Sequence, residues 1–304
     1  MILVCGATGM LGSRIVTLLR QRQHPVRALV RPSTDASALK ADGVEIARGD
    51  LRDPDSLRAA VAGVDTIIST ANTIARVMAG ERGLAIRDVD DLGHADLIAA
   101  AEAAGVQRFV FLSFQDKILD SGTPFARAKV ANEERLKRSA MRSVVLKPDM
   151  FQEVWLTDLV QFDWKGGKVT IFGKGETPHR YVAVDDVAHA AVRMVEAEEP
   201  PTVLEFGGPE ALTRVQAADA FERAVGQPIK RGHVPRPALR VGSMVLKPFR
   251  PVLASIMGQA LAADRHPATA TDAPLRELGI EPRSASDYIT HAVAEFRAEK
   301  RAAR

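Results

Sequence analysis

The chain has 304 residues, with 41 basic against 38 acidic side chains and a formal net charge of +3. That length buries a sizeable core, as one large domain or as one domain with a smaller lobe, while so even a balance argues against a nucleic-acid surface. The single cysteine, Cys5, excludes an internal disulfide framework and fits a reduced, cytoplasmic setting, and no apolar run reaches the roughly 18 residues that span a bilayer.

Met1 to Cys5 is an apolar run without polar alternation, too short for a secretory segment and suited to a strand covered on both faces. SRIVTLLRQRQ follows, with Ile15, Leu18 and Leu19 at helical spacing, and VRALVR at 26–31 returns to strand character. Val44 and Ile46 belong to a third strand ending at Gly49 and Asp50, and Pro54 to Val61 reads as a helix. DTIIST at 65–70 is a strand, Asp88 to Ala104 a long alanine-rich helix, Val106 to Ser113 a strand, Phe125 to Ala140 a helix and Ser143 to Lys147 a strand. Short apolar runs alternating with helical patterns predict an α/β fold, a doubly wound parallel sheet of the Rossmann type. Beyond Pro148 the rhythm loosens. Lys165 to Gly175 suggests a hairpin with KVTIFG as one arm, Val182 to Glu196 a strand, turn and helix, and Leu212 to Val225 a helix. The expected division is 1–150 as the dinucleotide-binding domain and 151–304 as the rest of the main domain with a small C-terminal substrate lobe. The charged tail Glu295 to Arg304 is expected to fray.

The strongest local signal is VCGATGMLGSRIV, in which Gly6, Gly9 and Gly12 fall between a strand and an amphipathic helix. Gly6 permits the tight turn, Gly9 lets the backbone approach a pyrophosphate, and Gly12 allows close packing of helix on sheet. The phosphates then meet the amides at the helix N-terminus, which assigns Thr8, Met10 and Leu11 to the same site. An NAD site normally places an acid about twenty residues downstream. Here the second strand ends in Arg31, which can pair bidentately with a 2′-phosphate, and NADP is favoured. Asp50, with Leu51 beside it, either meets the adenine edge or caps the helix that Pro54 starts.

GATGMLG, LVR at 29–31, GDLRD at 49–53, AAEAAGVQRFVFLSF at 100–114, LKPDMF at 146–151 and YVAVDDVAHA at 181–190 together resemble the NmrA-like group of atypical short-chain dehydrogenase/reductases, over most of the chain to about residue 225. The group includes NADPH-dependent reductases of quinones, enals and phenylpropanoids, and members that bind the nucleotide as sensors and regulate partners. In the wider superfamily a Ser, a Tyr and a Lys four residues after the Tyr form the catalytic set. Ser113 and Lys129 match its first and last members, whereas Phe125 stands in the tyrosine position and cannot donate a proton. The resemblance implies that Lys129 holds the nicotinamide ribose and steadies a developing oxygen anion, although a solvent-facing lysine is the plainer alternative. It also places the loop from Pro148 to Phe151 beside the nicotinamide.

Ala71 and Asn72 fall where a loop would line the nicotinamide side, with Asn72 equally suited to cap a helix. His179 and Tyr181 are weaker candidates to reach a substrate, and no histidine pair has metal-ligand spacing. The segment 229–250 holds six cations and no acid, interleaved with apolar residues. It reads as a helix packed on the main domain, as a wall of the substrate cleft, or as a peripheral contact with anionic lipid. The expected function is hydride transfer from NADPH to a small lipophilic quinone or α,β-unsaturated carbonyl. The alternatives are a nucleotide sensor with a protein partner and an assembly factor holding a lipophilic cofactor.

Overall fold

The computed structural model describes residues 1–302. Its strands, in chain order, are β1 (Ile2–Cys5), β2 (Val26–Val30), β3 (Glu45–Arg48), β4 (Thr66–Ser69), β5 (Arg108–Leu112), β6 (Arg142–Pro148), β7 (Phe162–Asp163), β8 (Lys168–Phe172), β9 (Val203–Phe206) and β10 (Lys230–Val234). The helices of the first half are α1 (Met10–Gln21), α2 (Ser37–Ala41), α3 (Pro54–Ala60), α4 (Thr73–Met78), α5 (Gly93–Ala103), α6 (Asp116–Leu119) and α7 (Pro124–Arg138). Those of the second are α8 (Gln152–Trp155), α9 (Val184–Glu196), α10 (Arg214–Val225), α11 (Arg236–Val245), α12 (Pro251–Ala263), α13 (Ala273–Glu277) and α14 (Ala285–Ala302).

Seven strands build one parallel sheet in the order β3-β2-β1-β4-β5-β6-β9. The strand order reverses between β1 and β4, and this is where a doubly wound sheet opens a crevice at the carboxyl ends of its strands. Burial on both faces explains the continuous apolar runs. Ile2 and Val4 pack with Ile15 and Leu19 of α1 and Val187 and Ala191 of α9. Leu3 and Cys5 point the other way, against Leu57 of α3, Leu97 of α5 and Leu136 of α7. A third core, around Phe162, Trp164, Tyr181, Phe221 and Ile289, holds the C-terminal lobe together.

Several elements differ from the sequence expectations. The residues 88–92, expected as plain α-helix, belong to a π-helical turn over Arg87–Leu92 ahead of α5. The hairpin arm opposite KVTIFG precedes Lys165, because β7 is the antiparallel partner of β8; β10 pairs with β8 in parallel on its other side. Val182 forms only a single bridge with Phe151. The seventh sheet strand, β9, and the short α4 carry too few periodic residues to be read beforehand. The charged tail does not fray where described: α14 runs to Ala302, anchored by Ile289 and Val293 in the lobe core, and 303–304 lie outside the described residues. The basic segment 229–250 is not one helix. It forms β10, then α11, then a turn into α12.

Candidate dinucleotide and reductase site

At the switch point the backbone makes the cradle. Gly6 has φ +92°, and a Cβ there would lie 2.6 Å from Thr70 Oγ1 and 2.9 Å from Ala71 N. A Cβ on Gly12 would come within 2.0 Å of the Gly6 carbonyl oxygen, so the first turn of α1 can seat against β1 only with glycine there. The Gly9 amide donates to the Gly6 oxygen at 2.9 Å, and Gly9 is the N-cap of α1 with no side-chain cap bond and no acid in the first turn. The amides of Met10, Leu11 and Gly12 therefore form an uncapped, electropositive seat. Thr8, Gly9 and Met10 are exposed beside it, whereas the Leu11 side chain is in the core and offers only its main chain.

Arg31 follows β2 directly and is tied to the Glu81 carboxylate. Arg76 of α4 shares that carboxylate, with Nε at 3.0 Å and Nη2 at 2.6 Å, and reaches Asp50 at 3.3 Å. Asp50 also accepts from Arg52 Nε at 3.1 Å, Nη2 at 3.0 Å and the Arg52 amide at 3.0 Å. Burial works against its ionisation, yet the Arg52 hydrogen bonds and the Arg76 charge hold the carboxyl down at about 2. The helix-cap reading of Asp50 is corrected: Asp53 caps α3, accepting from the amides of Asp55 and Ser56. The Leu51 side chain is buried in the core. Asn72 does cap a helix, its Oδ1 accepting from Ala75 N at 2.7 Å at the start of α4, while Ala71 packs partly buried behind it. Arg76 and Glu81 were missed because nothing in the spacing of a short helix and loop tells which charges will meet.

Lys129 is not a solvent lysine. Only 2% of it is exposed; Nζ donates to the Leu112 carbonyl at 2.7 Å and stands 4.4 Å from the Phe111 ring centroid and 5.5 Å from that of Phe125. Burial pulls its pKa down to about 8 despite the charges of Asp90 and Glu133. Asp90 sits on the π-turn, buried, accepting from Thr73 N at 3.2 Å, with burial pushing its carboxyl up. Asn132 ties that turn to α7 through the Asp90 carbonyl at 2.6 Å. His94 is fully buried nearby, bonded to Ser69 Oγ at 2.9 Å and the Val89 carbonyl at 3.0 Å, and burial lowers it to about 3. A neutral ring so placed donates from Nδ1 and accepts from Ser69.

Ser113 is not bonded to Lys129. Its hydroxyl donates to Glu133, which pairs through its other oxygen with Lys147 Nζ at 2.8 Å. Phe125 is enclosed by Ile74, Ile86, Phe114 and Val252, and its amide donates to Ser255 Oγ of α12 at 3.3 Å. Pro148 is buried at the end of β6 opposite Phe206, and Phe151 caps α8 and packs on the core shared by α1 and α9. Tyr181 is buried, which pushes its phenol to about 12, and with His179, Arg214 and Asp264 it lines a cavity of about 30 Å3, too small for a substrate. A larger cavity of about 470 Å3 opens at Met10 and Arg14 of α1 and is walled by Thr157, Trp164, Val184 and Tyr288.

A parallel sheet with this glycine cradle at its switch point defines a Rossmann-type dinucleotide-binding protein. The chain belongs to the NmrA-like family, whose sequence model matches residues 1–272. It is 30% identical to an NAD(P)H azoreductase of Xenophilus azovorans over 231 residues, 76% of each chain. It is 28% identical to the photosystem II assembly factor Ycf39 of Synechocystis over 93% of this chain and 86% of that one. In fold it is similar to the Escherichia coli NADPH-dependent quinone oxidoreductase QOR2 in complex with NADPH, with a TM-score of 0.75, 21% identity and coverage of 96% of this chain and 99% of that one.

Proposed function

We propose that the protein is an NADPH-dependent reductase that delivers hydride to a quinone or an α,β-unsaturated carbonyl compound. The observation that carries the reading is the glycine cradle at the switch point beside a strand that runs into Arg31 rather than an acid. The residues present suit the cofactor, since Gly6 and Gly12 let β1 and α1 pack closely and the first turn of α1 is left with no side-chain cap and no acid. The amides of Met10, Leu11 and Gly12 would hold the pyrophosphate and Arg31 the 2′-phosphate. Asp50 and Leu51 would border the adenine, and Ala71, Asn72, Pro148 and Phe151 the nicotinamide half. The bound cofactor would supply the hydride.

Lys129 would supply the charge. Its ammonium uses the Leu112 carbonyl as one acceptor and has three N–H groups, so further donors can serve a ribose hydroxyl and steady an oxygen anion in a setting of low dielectric. Phe125 has no proton to give, and a quinone or enal so stabilised takes its proton from water. Ser113, held by Glu133, would act by fixing the end of β5 against α7. The likeness to a protein named NAD(P)H azoreductase supports a reductase acting on a conjugated acceptor.

A second reading, in which the fold holds a lipophilic group or a partner without turnover, is favoured by the filled space around Phe125 and by the likeness to an assembly factor. The deciding experiment mixes the protein with NADPH and follows nicotinamide absorbance against a panel of quinones and enals, alongside calorimetry with NADPH and NADH. Acceptor-dependent oxidation is the expected result. Tight binding without turnover on any acceptor would move the assignment to the second reading, and binding of neither nucleotide would end both the cofactor and the reductase assignments.

A further inference from the structure

Residues 229–263 contain six lysines and arginines and not one aspartate or glutamate. Within them α11 and α12 form a helical hairpin whose outer face is apolar. Val241, Met244 and Val245 stand at i, i+3 and i+4 of α11, hence on one side of it, and are 58%, 66% and 58% exposed. Leu239, on the opposite side, is the buried anchor. An ordinary surface helix buries its apolar stripe and shows its polar one; α11 does the reverse. Phe249, at the tip between the two helices, is 80% exposed, and Leu253 of α12 extends the patch. Arg240, Lys247 and Arg250 are exposed around this surface.

The hairpin is preformed. Gly242 packs so tightly on α12 that a Cβ there would lie 2.2 Å from Met257 Cε, and Ser243 Oγ donates to the Ala254 carbonyl at 2.9 Å. No ordering of a loop is needed to present the patch. We propose that the α11–α12 hairpin is a docking surface for an anionic lipid bilayer, with Val241, Met244, Val245, Phe249 and Leu253 entering the headgroup region and Arg240, Lys247 and Arg250 meeting lipid phosphates.

Charge decides between the occupants. A second copy of the chain packed on this face by a two-fold axis would bring an all-cationic rim against itself, with like charges opposed. An anionic membrane complements the same rim, and the aliphatic stems of the arginines and lysine reach outward while their heads remain with the phosphates. The membrane face is also joined to the site: α12, which leads away from the tip, contacts Phe125 through Val252 and Ser255. A lipid-dissolved acceptor would thus arrive on the side of the fold where Phe125 and Lys129 stand, a consequence that rests on the reductase reading. The docking itself does not rest on it.

The test is flotation of the full chain with vesicles of phosphatidylcholine alone and of phosphatidylcholine mixed equally with phosphatidylglycerol, in the absence of nucleotide. Binding to the mixed vesicles only is expected, weakening on the order of tenfold or more in a Met244→Ser, Phe249→Ser variant and in an Arg240→Glu, Lys247→Glu, Arg250→Glu variant. All five side chains are exposed, and circular dichroism is the check that the variants fold. Equal binding to neutral vesicles, no binding at all, or undiminished binding by either folded variant overturns the proposal. So does a lipid-free dimer that the Met244→Ser, Phe249→Ser variant dissolves, which would make the patch a self-interface.

Discussion

Glu81 occupies Arg31, the residue proposed to hold a 2′-phosphate. Its carboxylate is shared by Arg31 and Arg76, and Arg76 leans in turn on Asp50, so a chain of ion pairs links Arg31 to Asp50. The hydrogen bond from Arg76 first, then the charges of Arg76 and Arg31, hold the Glu81 carboxyl below its ordinary range. For NADPH to use Arg31, its phosphate must take the place of that carboxylate. The side chains of Arg31 and Glu81 are about one-third and one-quarter exposed, so each pair contributes only about 0.2–1 kcal/mol after solvent screening. Losing both gives about 1 kcal/mol, a roughly fivefold change in affinity. Glu81→Gln is therefore expected to tighten NADPH about fivefold in calorimetry and to leave NADH, which lacks the 2′-phosphate, unchanged. The gain should shrink as salt is raised, since the removed competition is electrostatic. Unchanged or weaker NADPH binding by the folded variant would refute the competition, and an equal gain for NADH would place Glu81 against some other part of the nucleotide.

The remaining predictions concern the cradle and the buried groups. Burial lowers Lys129 from 10.5 to about 8, so the folded chain gives up this proton before the unfolded chain does. Stability gained from this group thus rises with pH between those values, by about 3 kcal/mol at ~1.36 kcal/mol per pH unit. A Lys129→Met variant lacks that gain, and its stability relative to the parent should fall by about this amount between about pH 7 and about pH 11 in chemical denaturation; a pH-independent gap would show that Lys129 titrates normally. If Lys129 acts as an ammonium, turnover should decline as pH rises through about 8. Gly12→Ala puts a Cβ 2.0 Å from the Gly6 oxygen, and loss of nucleotide binding with about 1–3 kcal/mol of destabilisation is expected from calorimetry and denaturation. Asn72→Ala removes the cap of α4 and should cost about 1 kcal/mol in the same denaturation assay. Cys5 is fully buried, with its thiol pushed up to about 12, so a thiol reagent should label it only as fast as the chain opens.

Much of the sheet was legible because a strand covered on both faces carries a short run of consecutive apolar residues at its centre. Met1 to Cys5, VRALVR, DTIIST, Val106 to Ser113 and Ser143 to Lys147 all announced themselves in this way, and each became a strand within a residue or two of the expected bounds. The glycine turn was legible for a different reason: its spacing reflects backbone contacts between residues only three to six apart, which local sequence encodes. The edge strand β9 was not, because Val203, Leu204 and Glu205 are only partly covered and lack the continuous apolar signature. The family resemblance located Lys129 and Phe125 and pointed Lys129 to the cofactor, whereas its position in the chain alone left it open between site and solvent.

The sequence by itself determined the parallel α/β class, the place of the dinucleotide cradle and the cation that follows β2, since these depend on period, glycine placement and residue type. Only the tertiary structure decided what those charges do. It brought Glu81, fifty residues away, onto Arg31; it turned Ser113 toward Glu133 and Lys147 rather than toward Lys129. It also buried Lys129 between two aromatic rings and exposed the apolar side of α11. Charge pairing and desolvation depend on distance in space and on what covers a group, and a one-dimensional pattern carries neither.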